Sequence, residues 1–353
     1  MTSPSLQPVA GTPREVLALL REWLAVAGPV DPVVVRTSGS SGRPKDVVLS
    51  RDALVASARA THDRLGGPGQ WLLDLPAQYV AGLQVLVRSV LGGIEPVIAG
   101  DHATLLDAIG AMTGPRRYVS LVPTQVHRIS AAGALPALAG LDAVLVGGAS
   151  LAPELAESAR VAGVRVVRTY GMSETAGGCV YDGWPLDGVR IRIDDARVVH
   201  LAGPMVFDGY ANDADATARV LRDGWFVTDD LGDLADDGRL RILGRGDDVV
   251  ISGGVNVSLP AVGHALASAP GVAEAVAVGV DDAEWGSRVV ACVVPEGAAP
   301  ELARLRDAVE SAGLPRTWAP RSLVVLDALP LLANGKVDRL ALRTLAAGAV
   351  PPR

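Results

Sequence analysis

Val33-Val34-Val35-Arg36-Thr37-Ser38-Gly39-Ser40-Ser41-Gly42-Arg43-Pro44-Lys45 is a β-branched run that breaks into a Ser/Gly-rich loop, and Ser50 then offers an N-cap for a helix. The same grammar repeats on both sides. Thr12 and Pro13 open a helix that runs to about Val26, the first as N-cap and the second at N1. Further strands are expected at Trp71–Leu75, Tyr118–Val122, Asp142–Val146 and Val164–Arg168. Helices at Val80–Leu91, Thr104–Met112 and Leu151–Val161 fall between them. Short apolar strands alternating with amphipathic helices imply a layered α/β region with much parallel pairing.

From Val189 the texture changes to strand-like pieces with tight turns, and Asp237-Gly238 between two of them is a hairpin signal. After Arg245 a βαβ-like pattern begins, with strands near Ala275–Val280, Val289–Val294 and Leu323–Leu326. The expected architecture is a large N-terminal α/β domain (residues 1–244) with a strand-rich subdomain near 189–243. A small α+β domain (245–353) follows.

Composition narrows the function classes. Hydrophobic residues make up 49% and charged ones 20% of the 353, which suits a chain with a sizeable core and excludes a disordered tail. A net charge of −7 without a basic patch argues against nucleic acid. Cys179 and Cys292 lie far apart with no CxxC, as reduced cytosolic thiols would, and the five histidines show no metal spacing. His62 and His102 read as residues of solvated helix faces. Val249–Ala273, the longest stretch free of Asp, Glu, Lys and Arg, is broken by glycines, two prolines, Asn256 and His264, so no membrane span is expected. With no basic n-region before an apolar core at the N-terminus, a cytoplasmic protein is expected. The apolar composition leaves room for a homodimer.

Five short motifs carry groups suited to phosphate and carboxylate chemistry. In Thr37–Lys45 two glycines and four hydroxyls let N–H and O–H groups converge on phosphate oxygens, with Lys45 adding a point charge. No Gly-Lys-Ser/Thr follows at P-loop spacing, and such a loop alone is equally a flexible turn. Tyr170-Gly171-Met172-Ser173-Glu174-Thr175 puts an aromatic, a hydroxyl and a carboxylate in one loop, able to stack a base, touch a phosphate and hold magnesium. Gly224–Asp230 ends a strand in a carboxylate suited to ribose hydroxyls. Gly244-Arg245-Gly246-Asp247-Asp248 leads into Ser252-Gly253-Gly254-Val255-Asn256, and Asn334-Gly335-Lys336-Val337-Asp338-Arg339 stands near the C-terminus.

In this order the five motifs resemble the adenylate-forming superfamily: acyl-CoA synthetases, firefly luciferase and nonribosomal-peptide adenylation domains. The resemblance covers nearly the whole chain from Arg36 to Arg343. Within it, Ser120-Leu121-Val122-Pro123-Thr124-Gln125 is similar to the o-succinylbenzoate–CoA ligases of menaquinone biosynthesis. The resemblance implies ATP and magnesium as cofactors, coenzyme A as a substrate, and a carboxylate that attacks the α-phosphorus to give acyl-AMP, from which the thiol displaces AMP. It assigns Lys336, Thr175 and Glu174 to catalysis, with Glu174 on magnesium. It gives Thr37, Ser38, Gly39, Ser40, Ser41, Gly42, Lys45, Gly148, Tyr170, Gly171, Asp230 and Arg245 to ATP. The acid pocket falls to Gln78, Tyr79, Gln125, Arg168, Ser173 and Gly177, with Arg168 and Gln125 offering donors for a second carboxylate. A hinge near 245–248, centred on Asp247, would let a mobile C-terminal domain swing Lys336 away and bring Ser252, Gly253 and Gly254 toward coenzyme A.

Departures accompany the match. The phosphate loop arrives after only 36 residues, so the N-terminal region is shortened relative to relatives. Gln78-Tyr79 stands where relatives carry an aromatic-His pair, Asp229 replaces a common glycine, and Ala261 replaces a common Glu. Three readings therefore stay open: an o-succinylbenzoate–CoA ligase, another acid–CoA ligase or carrier-loading adenylation enzyme, and a catalytically silent binding homologue. Of 32 basic side chains only Lys45 and Lys336 are lysine, and both fall inside motifs. An ammonium can sit between oxyanions that share no plane, which Arg's planar fork does poorly.

Overall fold

Five strands run parallel in the order Val97–Ile98, Gln70–Leu73, Arg117–Leu121, Ala143–Val146 and Val166–Met172. This computed structural model describes residues 7–37, 45–332 and 335–348. Alternate side chains of these strands enter two different cores. Trp71, Leu73, Tyr118, Ala143 and Leu145 pack in one, and Leu72, Val119, Leu121, Val144 and Val146 in the other. Burial on both faces is why the strands read as continuous apolar runs with no period of two. Gly177–Tyr181 and Trp184–Pro185 extend this sheet in antiparallel fashion.

The strand expected at Val164–Arg168 runs instead over Val166–Met172, because its C-terminal half pairs with the returning Gly177–Tyr181. Tyr170 and Met172 are thus strand residues, and only Ser173–Thr175 forms a short turn. Around the opening motif the chain also departs from a strand–loop–helix unit. Asp46–Leu49 is a strand antiparallel to Val33–Arg36, so the Ser/Gly segment joins a hairpin, and Gly209–Tyr210 adds a third strand beside Asp46–Leu49. Ser50 does cap the helix Arg51–Leu65, accepting from the Ala53 N–H.

The strand-rich portion is antiparallel. Arg190–Ile193, Val198–Ala202, Trp225–Leu234 and Leu221–Arg222 lie in that order, with Leu240–Arg245 returning along Trp225–Leu234 after the Asp237-Gly238 turn. The smaller C-terminal domain is built from hairpins more than from βαβ units. Val249–Ser252 pairs with Val255–Ser258, and Val272–Asp282 with Gly286–Pro295. Among the described residues only Ser322–Val325, reached through the helix Leu302–Ser311, joins in parallel. Its two apolar clusters contain only residues from its own segment. Among the described residues no helix is long and apolar enough to cross a membrane.

Two histidines differ from expectation. His62 is buried, 7% exposed, on the inner face of its helix, and His102 sits half-buried just after a short turn.

Candidate active site

The C-terminal ends of the parallel strands open onto one cleft, and Lys336 is seated there. A Cβ added to Gly148, which follows the strand Ala143–Val146, would lie 3.0 Å from Lys336 Cε and 3.7 Å from its Nζ. Gly148 has φ +84°, so the missing side chain both permits this backbone and clears the ammonium's path. Solvent reaches Lys336, yet protein crowds it on most sides, and that loss of water holds its pKa below the ordinary lysine value. Arg245 pushes in the same direction, while Glu174 and Asp230 partly restore the charge.

Backbone hydrogen bonds tie Gly335 and Lys336 to the chain before them. Leu332 N–H donates to Lys336 O at 2.8 Å, Gly335 N–H to Leu332 O at 2.9 Å, and Asp338 N–H to Pro330 O at 2.8 Å. Beyond it Asp338 caps the helix Arg339–Ala347, and Arg339 reaches back to Asp248 at 2.8 Å.

Around the ammonium stand two carboxylates, each held by a tyrosine hydroxyl. Tyr210 donates to Glu174 Oε1 at 2.9 Å, and Tyr170 donates to Asp230 Oδ2 at 2.7 Å. Burial, with the neighbouring carboxylate second, raises the pKa of each tyrosine, so both remain donors. Arg245 brackets the second carboxylate, with NH2 3.1 Å from Asp229 Oδ2 and NH1 3.9 Å from Asp230 Oδ1. Lys45 Nζ lies 3.5 Å from the Tyr210 hydroxyl and 4.8 Å from its ring. Thr37 and Lys45 face each other across the hairpin, Thr37 N–H donating to Lys45 O at 2.8 Å and Lys45 N–H to Thr37 Oγ1 at 3.1 Å.

Lys45, Glu174, Tyr170, Asp230, Arg245, Gly148 and Lys336 are therefore brought together. Ser38, Gly39, Ser40, Ser41, Gly42 and Asn334 lie outside the described residues. Gly171, at φ +157°, lies against the returning strand so closely that a Cβ would stand 2.1 Å from Gly177 O. Thr175 is fully buried with its hydroxyl engaged inside its own loop, accepting from Met172 N–H at 2.9 Å and lying 2.8 Å from Gly177 O. The pocket candidates divide. Gly177 packs against Val80 and Gln84 at the start of the helix Val80–Gly92, which Tyr79 precedes as N-cap; Tyr79 and Ser173 are half-buried and Gln78 exposed.

Gln125 and Arg168 do not present free donors. The Gln125 amide is spent on the fold: its oxygen accepts from Val122 N–H at 2.8 Å, and its nitrogen donates to Asp74 O and Oδ2, both at 2.9 Å. Asp74, whose pKa burial raises, also makes that corner unfriendly to a second anion. Arg168 pairs with Asp182 at 3.4 Å on the surface, its side chain 64% exposed. Arg168 lies within the strand Val166–Met172, and the neighbour its side chain meets is Asp182 on the surface. At the far Gly-Gly turn, Gly253 N–H donates to Trp285 O at 2.9 Å, and Ser252 is buried beside it.

Sequence reasoning missed Tyr210 and Gln84. Gln84 donates from inside a buried helix to Leu54 O and Ala176 O. Tyr210 is buried, and a buried tyrosine must find a partner for its hydroxyl, but its neighbours Asp208, Gly209, Asn212 and Asp213 read as a polar turn and gave no sign of that burial.

Residues 26–212 match the family described as AMP-binding enzyme, and residues 261–336 the AMP-binding enzyme C-terminal domain. A Mycobacterium tuberculosis protein named "Probable 2-succinylbenzoate--CoA ligase" is 44% identical over 350 residues, 97% of this chain and 91% of that protein. The solved o-succinylbenzoate CoA synthetase of Bacillus subtilis in complex with its acyl-adenylate intermediate is 28% identical. Its TM-score is 0.77, over 91% of this chain and 70% of that one. The same enzyme in complex with ATP and magnesium ion is 29% identical at a TM-score of 0.76, over 88% of this chain and 69% of that one.

Proposed function

This chain belongs to the AMP-binding enzyme family, and from that premise we propose that it joins 2-succinylbenzoate to coenzyme A in an ATP-dependent, AMP-forming ligase reaction. In the first step a carboxylate oxygen bonds to the α-phosphorus and pyrophosphate leaves. In the second, the coenzyme A sulfur bonds to the acyl carbon and AMP leaves. Negative charge gathers on phosphoryl oxygens in the first step, so catalysis there is chiefly the placement of cations and donors.

The observation that carries this reading is Lys336 threaded past Gly148 into a cleft ringed by Glu174, Asp230 and Arg245. Lys336 would lie between the acid's carboxylate and the α-phosphate. Lys45 would meet the outer phosphates with the Thr37–Lys45 hairpin. Asp230 and Arg245 would hold the ribose, and Tyr170, tied to Asp230, would lie against the base. Magnesium, when bound, neutralises phosphate charge. A single protein carboxylate, Glu174, fits an ion that takes its remaining sites from phosphate oxygens and water.

The acid itself is supported by kinship with the 2-succinylbenzoate ligases. Neither Arg168 nor Gln125 is offered for its second carboxylate. We place the hinge at 245–248, Arg245 and the short turn Gly246–Asp248 that follows it, beside the boundary at 244/245, so that rotation withdraws Lys336 and carries Ser252–Gly254 toward coenzyme A. A cytoplasmic location suits the two free, buried cysteines.

The test is direct. Wild type given ATP, magnesium and o-succinylbenzoate should form the acyl-adenylate, seen by mass spectrometry, and Lys336→Ala should not. Pyrophosphate exchange supported by other acids but not by this one would sink the choice of substrate while leaving the reaction class.

A further inference from the structure

We propose that Thr124 is a positioning residue that latches the Lys336 loop over the cleft during the first half-reaction. Its hydroxyl donates to Gly335 O at 3.1 Å, across 211 residues of chain, onto the residue that immediately precedes Lys336. This role rests on the ligase reading above, since it concerns the placement of that lysine.

Both ends of the latch are held by further hydrogen bonds. Thr124 stands in the first turn of the helix Pro123–Ala131, just past the strand Arg117–Leu121. Gln125 pins that turn from inside, bonding Val122 N–H on one side and Asp74 on the other. On the facing side, Gly335 and Lys336 are held by the bonds to Leu332, and Arg339–Asp248 ties the following helix to the segment Gly246–Asp248. A hydrogen bond between two stiff elements sets a distance, whereas one between floppy elements mostly costs entropy.

The surfaces beneath the bond are matched to it. A Cβ on Gly335 would lie 3.4 Å from Val122 Cγ2, and one on Gly148 would lie 3.5 Å from Val122 Cγ1. Val122 is therefore the floor on which both glycines rest, and Thr124, two residues on, supplies the directional contact. Its effect passes through the backbone of Gly335 to the Nζ of Lys336. Gln125, expected in the acid pocket, belongs to the same platform.

The latch exists only while Lys336 is in the cleft, so its loss should separate the two half-reactions. Thr124→Val keeps the shape and removes the donor; Thr124→Ser keeps the donor. In ATP–pyrophosphate exchange with o-succinylbenzoate, Thr124→Val should lower kcat roughly five- to tenfold with KM for ATP and acid within about twofold, the size expected of one lost hydrogen bond. Thr124→Ser should stay near wild type. Thioester formation from added o-succinylbenzoyl-AMP and coenzyme A should be unchanged in both. Exchange by Thr124→Val at the wild-type rate would overturn the latch. So would a parallel loss in both half-reactions with a lowered Tm, the mark of a merely structural threonine. If wild type exchanges only with a different acid, the substrate assignment fails separately, and the same kcat comparison with that acid decides the latch.

Discussion

Lys336 and Arg88 are both cations surrounded by protein, and almost nothing else about them agrees. Lys336 stands in a cleft that solvent reaches, with Glu174 and Asp230 near enough to stabilise its charge and Arg245 opposing them. Arg88 is sealed in the core at 3% exposure, its guanidinium 4.9 Å from the centre of the Trp71 ring. No ion pair holds it among the described residues, and its Nε lacks a hydrogen-bond partner. Burial pulls its pKa below the ordinary arginine value. A cation meant to meet an anionic ligand gives up part of its water but stays where solvent, and so an anion, can reach it. A cation locked away from ligands has lost its water for good and recovers only a weak attraction from an aromatic face. Depth alone therefore says little about function; what decides is whether an anion can arrive.

The largest effect should come from the open member of the pair. Lys336→Ala removes the ammonium proposed to lie between the acid's carboxylate and the α-phosphate, and exchange should fall by about a thousandfold, the scale for losing a preorganised donor to developing charge. The Tm should hold, because Lys336 belongs to none of the apolar clusters of the core. Lys336→Arg should lose most of that activity too, since the stem passes Gly148 at close range and a guanidinium is wider than an ammonium. Near-normal turnover by Lys336→Arg would mean that the cleft asks only for positive charge.

Next in size is the acid behaviour of the sealed cluster. His62 is buried beside Arg88 with its Nε2 unpartnered, and its pKa drops from 6.5 to about 4, by burial first and Arg88 second, with Asp63 opposing. Between those values the unfolded chain takes up a proton that the folded chain refuses. Stability is thus whole above pH 6.5 and is lost as pH falls toward 4, by up to about 3 kcal/mol. Urea midpoints at pH 7 and pH 4.5 should differ less in His62→Gln than in wild type. Equal losses in the two proteins would place the acid-sensitive group elsewhere.

Legibility in the sequence followed chemistry more than depth. Lys336 could be found because lysine is so scarce here that its position within a motif carries information. Arg88 is one of 30 arginines, in a helix that is mostly apolar apart from Gln84 and Ser89, and nothing marks it until Trp71 is seen above it. The parallel strands were legible as apolar runs between amphipathic helices. The hairpin partners Asp46–Leu49 and Val249–Ser252 were not, because four residues of strand gain their stability from the neighbour they pair with. Gln125 and Arg168 could not be placed from the sequence for a related reason: a long polar side chain has several partners in reach, and only the fold chooses Asp74 for one and Asp182 for the other.

Tyr210 tests the open region more finely. Its hydroxyl joins Lys45 to Glu174, one group expected on phosphate and the other on magnesium. Tyr210→Phe keeps the ring under Lys45 and removes the oxygen. Exchange should fall about tenfold, with weaker binding of magnesium–ATP by calorimetry and an unchanged KM for the acid. A loss seen equally in the acid's KM would assign the tyrosine to the general shape of the cleft.

The smallest effect belongs to Arg88→Met, and it bears hardest on the comparison. Methionine fills much of the same length without a charge to desolvate, and no carboxylate partner is left stranded by the change. Against that stands only the loss of the Trp71 contact, about 0.5–2 kcal/mol. The urea midpoint at pH 7 should therefore hold or rise, and exchange should stay within twofold of wild type. His62 supplies an internal check, because Arg88 is the second cause of its depressed pKa. With the guanidinium gone, the imidazole pKa followed by NMR should climb toward 6.5, and the acid loss of stability should shrink with it. A folded Arg88→Met with large loss of exchange would show that the sealed cation reaches the chemistry after all, and the contrast with Lys336 would fail at its stronger end.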